Sequence, residues 1–206
     1  MKHISRFFLI PFMISGCAVN YNHIQLQNFT YNEKIDTASS VTILHSQQNI
    51  FQISKNRAYE KRQSRKKLWI VPIQVINNGN YEFTITDSTT KVINNYEIAD
   101  LVPPDVYTKK ISRKAGLPYY MAGGLFGSVL ITANGLVFLP SPALILPVIG
   151  AVNFFKFRGE NKQLLIDINQ HDLYGKNIPC QSEKFGFICI KADTINNLFF
   201  RLNYEY

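Results

Sequence analysis

The chain has 206 residues, a hydrophobic fraction of 46% and a formal net charge of +8, enough for one ordinary domain with its own core. That charge favours anionic surfaces such as phospholipid headgroups, lipopolysaccharide phosphates and peptidoglycan. The few cysteines and histidines fall at no zinc spacing, which excludes a zinc module, and no cofactor is implied.

The chain opens MKHISRFFLIPFMISGC. Lys2 and Arg6 form a short basic head, Phe7 to Ile14 an apolar run of eight residues, and Ser15 and Gly16 are small side chains before Cys17. So short a run cannot cross a bilayer as a helix. The pattern is that of a secretory signal over 1–16, its apolar part entering the membrane while the basic head stays behind. Ile14-Ser15-Gly16-Cys17 resembles the lipobox of bacterial lipoproteins, with Ile where that family usually has Leu. The resemblance implies cleavage between Gly16 and Cys17, a diacylglyceryl group on the Cys17 thiol and acylation of its freed amine. Several acyl chains on one residue anchor stably where a single chain binds marginally. Ala18 follows, and not the Asp that favours inner-membrane retention, so the periplasmic face of the outer membrane is the expected location. Export makes nucleic acid an unexpected partner.

Residues 17–40 are polar after the cysteine and show no sustained period, which suggests a lipidated tether before a domain over 41–206. Val41 to His45 and Ile50 to Ile53 have strand composition. The segment 55–67 is strongly basic, with Lys61, Arg62, Arg65, Lys66 and Lys67 leading up to Trp69. It reads either as a polybasic contact for anionic lipid or glycan or as a solvated loop. Leu68 to Ile76 is an apolar, β-branched strand, Asn78-Gly79 is a strong hairpin signal, and Tyr81 to Asp87 alternates as a half-buried strand should. Pro72 predicts an edge or a bulge. Lys91 to Ile98 continues the sheet.

Between Lys114 and Lys156 lie 41 residues without a charge. Tyr119 to Leu139 would span about 31 Å as a helix, Pro140-Ser141-Pro142 forces a turn, and Ala143 to Phe155 makes a shorter second arm holding Pro147. The result is an apolar α-helical hairpin over 117–155 with unequal arms. Gly123 and Gly127 share one face of the first arm and would admit a close partner helix. Lys109, Lys110, Arg113 and Lys114 precede the hairpin, and Lys156 and Arg158 follow it. Three readings stay open: the hairpin dips into the membrane that holds Cys17, packs on protein or on its own copies, or spans. Basic flanks on the outer side oppose spanning.

Gln163 to Ile168, Lys184 to Lys191 and Asn197 to Tyr206 again have strand composition. Cys180 and Cys189 are separated by eight residues, and in an oxidising compartment they are either a disulfide or, for Cys189, a buried small hydrophobe. Short strands with turns between them predict a mainly β fold, an immunoglobulin-like antiparallel β-sandwich interrupted by the apolar hairpin.

Pro72 to Asn77, the apolar Gly/Pro stretch from Leu117 to Phe155, Asn161-Lys162-Gln163-Leu164 and Gly186-Phe187-Ile188 stand in the order found in a group of uncharacterised envelope lipoproteins, which this chain loosely resembles. The resemblance implies a sandwich with an inserted apolar hairpin and carries over no activity.

No nucleophile elbow, metalloprotease helix or phosphate loop is present. His23 falls in the tether, His45 at a strand end, and His171 beside Asp172 in a polar loop. The chain is therefore expected to be non-catalytic. One reading is a structural lipoprotein that docks an envelope protein or itself; the other is a membrane-surface module binding lipid or glycan through 55–67 and the hairpin flanks.

Overall fold

The computed structural model of the protein describes residues 21–31, 40–114, 129–132, 135–138 and 142–203, with backbone course alone for 129–132, 135–138 and 142–149. One compact unit consists of Tyr21–Ser112 and Gln163–Tyr206, and a second lies, among the described residues, within Arg113–Lys162.

The larger unit is built on a three-stranded antiparallel sheet in which β2 (Leu68–Asn77) lies between β1 (Val41–His45) and β9 (Ser182–Lys191). Side chains alternate between faces along a strand, and both faces of β2 are covered. Leu68 and Ile70, with Phe187 and Cys189 of β9, join one apolar cluster; Val71, Ile73 and Val75, with Ile188 and Ile190, join another. Burial on both faces is why this stretch of sequence is continuously apolar.

Pro72 therefore sits in the central strand and not at an edge. In an antiparallel ladder a residue's N–H and C=O face the same neighbour. The Pro72 carbonyl accepts from the Ser46 N–H at 2.9 Å, one residue past the end of β1. The missing N–H thus points where pairing has already stopped, and the ladder to β9 is undisturbed.

The second cluster is shared with a sheet ordered β10–β4–β5, formed by Phe199–Leu202, Thr90–Asn94 and Glu97–Ala99. The Asn78-Gly79 turn does not make the expected hairpin. β3 (Phe83–Thr84) pairs with β8 (Asn177–Ile178), and among the described residues β2 pairs only with β1 and β9. The buried Asn77 amide explains the diversion: it donates to the carbonyls of Tyr81, Ile178 and Pro179 at 2.9 to 3.2 Å and draws the chain away from β2.

The first cluster is closed by helices α1 (Ile50–Ile53), α2 (Arg57–Arg65), α3 (Pro104–Ile111) and the end of α4 (Pro142–His171). With about 33% helix and 32% strand the protein is mixed, where the sequence suggested mainly β. Three of the segments that make the difference have a local cause. Ile50 to Ile53 is helical because the Asn49 side chain accepts from the Phe51 and Gln52 amides as an N-cap. The basic stretch is helical with Tyr59 and Gln63, one turn apart, facing inward. Gln163 to Ile168 is helical because Leu164 and Ile168 bury on one face.

The stretch expected to be a tether is also altered. Tyr21, Ile24, Leu26 and Phe29 are core residues of the first cluster. Gly186 marks another close approach. A Cβ there would lie 2.3 Å from the His171 carbonyl oxygen and 2.4 Å from Leu173, where the chain leaving α4 crosses β9.

In the smaller unit, β6 (Val129–Thr132) and β7 (Gly135–Phe138) form an antiparallel pair inside the stretch expected to be the hairpin's first helical arm. β-branched and aromatic side chains in VLIT and GLVF favour that outcome. The second arm is the start of α4, which continues past Pro147 to His171. Among the described residues no helix is long and apolar enough to cross a membrane.

Candidate functional site

Seven of the basic residues singled out from the sequence lie in the larger unit, and the fold places six of them on two helices or at a helix end. Lys61, Arg62 and Arg65 are on α2 with Lys66 at its C-cap, and Lys109 and Lys110 are in the last turn of α3. The Arg62 guanidinium donates to the carbonyl of Ser112, which caps α3, so the two helix C-termini are held together. Cations there are favoured by the partial negative charge of a helix end, which is how so many like charges are accommodated. Lys61, Arg65, Lys66, Lys109 and Lys110 are exposed, and among the described residues none of these five is in an ion pair. Lys67 differs, pairing with the exposed Asp193 at 2.9 Å.

Four others are in the smaller unit. Lys114 is exposed, and Lys156 and Arg158 lie on α4. Arg113 is not an available surface cation. It pairs with the buried Glu160 carboxylate, and its guanidinium carbon stands 3.7 Å over the Phe157 ring. Its backbone is clasped by the Asn161 amide, which accepts from the Arg113 N–H and donates to the Arg113 carbonyl, each at 2.8 Å.

Cys180 and Cys189 are both free thiols, the first exposed and the second buried. The extended strand from Ser182 to Cys189 covers on the order of 20 Å, while a disulfide needs Cα atoms within about 7 Å. Burial pushes the Cys189 thiol well above its usual pKa, and it behaves as a small hydrophobe. Gly16, Cys17, Gly123 and Gly127 lie outside the described residues.

A second feature was not legible in the sequence. Asp167, buried on α4, accepts from the Tyr21 hydroxyl and the Ile24 N–H, both at 2.9 Å, and meets His23 Nδ1 at 2.7 Å. These partners are up to 146 residues apart, so no local motif announces them. Burial and the neighbouring carboxylate push the Tyr21 hydroxyl far above its ordinary pKa, and it stays a neutral donor. Beside it opens a pocket of about 500 Å³ lined by residues that include His23, Gln25, Asn28, Phe29, Ile53 and Lys55.

This His–Asp pair has no nucleophile aligned on it among the described residues. Ser54, at the pocket wall, donates its hydroxyl to the Ile50 carbonyl at 2.8 Å. The neighbours His171 and Asp172 do not orient one another. Asp172 accepts from the Tyr107 hydroxyl and from the Tyr174 N–H, and burial raises its pKa to about 6. Among the described residues no cluster of three His, Cys, Asp or Glu side chains is placed to hold a metal ion.

The chain matches no protein-family model, no curated protein and no solved structure.

Proposed function

We propose that the protein is a non-catalytic, exported lipoprotein, anchored through Cys17 at the periplasmic face of the outer membrane, that lays the basic ends of α2 and α3 against an anionic surface of the envelope. The observation that carries this reading is the convergence of Lys61, Arg65, Lys66, Lys109 and Lys110 at two clasped helix C-termini, exposed and outside any described ion pair. Each cation close to an anionic leaflet contributes about 1 kcal/mol, so five acting together strengthen an anchored protein's hold considerably. The shared apolar cluster between the β1–β2–β9 and β10–β4–β5 sheets supports a sandwich-like frame behind this face.

Flotation of the mature Cys17→Ser chain on vesicles tests the electrostatic part. Binding should require phosphatidylglycerol, fall steeply with salt, and be lost in a Lys61→Glu, Arg65→Glu, Lys109→Glu variant. Salt-insensitive co-purification with a single envelope protein, with no vesicle binding, would instead support a docking role.

A further inference from the structure

We propose that the pocket beside Tyr21 receives the phosphate-bearing headgroup of a phospholipid in the leaflet that holds Cys17. The inference rests on lipidation of Cys17 and adds to the basic helix face a defined site for one lipid.

The first observation is the length of the leash. Among the described residues the core begins at Tyr21, whose ring is buried and whose hydroxyl is held by Asp167. Asn22 is fixed as well: its N–H donates to the Asn56 side chain at 3.0 Å, and its carbonyl accepts from the same amide at 2.7 Å. Only residues 18–20 separate the lipidated cysteine from this fixed point. Four steps of fully extended chain reach at most about 14 Å. The headgroup layer is itself roughly 5 to 7 Å deep on each side of a bilayer. A chain lipidated at Cys17 therefore holds the surface around Tyr21 in or against the headgroups, which a tether running to residue 40 would not do.

The second observation is the chemistry of the surface so held. The pocket offers the Lys55 ammonium and the amides of Gln25 and Asn28 as donors to a phosphodiester, with no carboxylate among the described residues of its lining. Phe29 and Ile53 supply an apolar wall, and Ile53 is an exposed large hydrophobic at 38%, suited to the glycerol backbone and the first methylenes of an acyl chain. His23 is not free to swing, because Asp167 holds its Nδ1 at 2.7 Å and leaves Nε2 as its remaining polar atom. From Lys55 the chain passes directly into α2, so pocket and basic face lie along one continuous segment.

The test uses the full mature Cys17→Ser chain in solution and monomeric dihexanoyl-phosphatidylglycerol, followed by amide NMR. Saturable shifts are expected at Asn22, His23, Gln25 and Lys55. They should be absent with dihexanoylglycerol, at least tenfold weaker in Lys55→Glu, and unchanged in Lys191→Glu. Because Lys55 is exposed, a dispersed spectrum of Lys55→Glu will show that the variant is folded. Shifts confined to other surfaces, equal affinity in Lys55→Glu, or inorganic phosphate binding as tightly as the lipid would each overturn the assignment. The intact mass of the membrane-extracted native protein reports Cys17 acylation separately, so a failed anchor and an empty pocket give different results.

Discussion

Replacing Asp167 with alanine should detach the amino-terminal segment from the larger unit. The carboxylate serves three groups: the Tyr21 hydroxyl, the Ile24 N–H and His23 Nδ1. His23 has a side chain 58% exposed and can turn to water when the partner is lost. Tyr21 and Ile24 are 8% and 5% exposed, and each buried donor left without an acceptor costs roughly 1 to 3 kcal/mol. The expected loss is therefore about 3 kcal/mol, borne by the docking of residues 21–31 before it is felt by the sheet. Local opening of that size raises amide exchange by about 100-fold. Hydrogen exchange at Ile24, Leu26 and Phe29 measures it, with the β2 and β9 amides as internal reference. Asp167→Asn, which retains one acceptor, should fall between. Exchange at Ile24 within about threefold of wild type in Asp167→Ala would refute the reasoning, since 0.65 kcal/mol is roughly what a threefold change represents.

Asp172 gives a pH dependence of known sign. Burial holds its folded pKa at about 6, above the ordinary aspartate value of 3.8, so between those values the native state binds more protons than the unfolded one. Stability from this group is fully present below pH 3.8 and is lost as pH rises through 6, by up to about 3 kcal/mol. Denaturation from pH 4 to 7 should show that slope in the difference between wild type and Asp172→Asn. Gly186→Ala should destabilise by more than about 2 kcal/mol, because the added methyl meets a backbone carbonyl that cannot move aside cheaply; urea unfolding at or near the wild-type midpoint would contradict it. Gln63 is fully buried, with both side-chain polar atoms lacking a hydrogen-bond partner among the described residues. Gln63→Met should therefore raise stability by about 1 to 2 kcal/mol in the same assay, and a lower midpoint would count against that reading of the core.

Sequence and structure agree where burial is symmetrical and part where it depends on distant contacts. Leu68 to Asn77 and Ser182 to Lys191 are legible as strands because both contribute to apolar clusters on both faces of the sheet. Their pairing with each other is not legible, since nothing local in either strand specifies a partner over 100 residues away. Asn78-Gly79 is a sound hairpin signal overridden by Asn77, whose amide binds two carbonyls beyond residue 177. The basic stretch hides its helix because only Tyr59 and Gln63 face inward, too few to register as an apolar period. The cations of the site were therefore legible as residues, but the clasp between Arg62 and Ser112 that gathers them was not. The His23 ring at the pocket is held by Asp167, in a segment that reads by composition as a strand.

Attachment to the membrane through Cys17 underlies both the proposed function and the lipid site. The most direct measurement is the intact mass of the protein extracted from membranes of cells fed labelled fatty acid, compared with Cys17→Ser. The expected product is a chain beginning at Cys17 that carries a diacylglyceryl group, with label and membrane association both lost in Cys17→Ser. An unmodified Cys17, or label retained after its replacement, would contradict it.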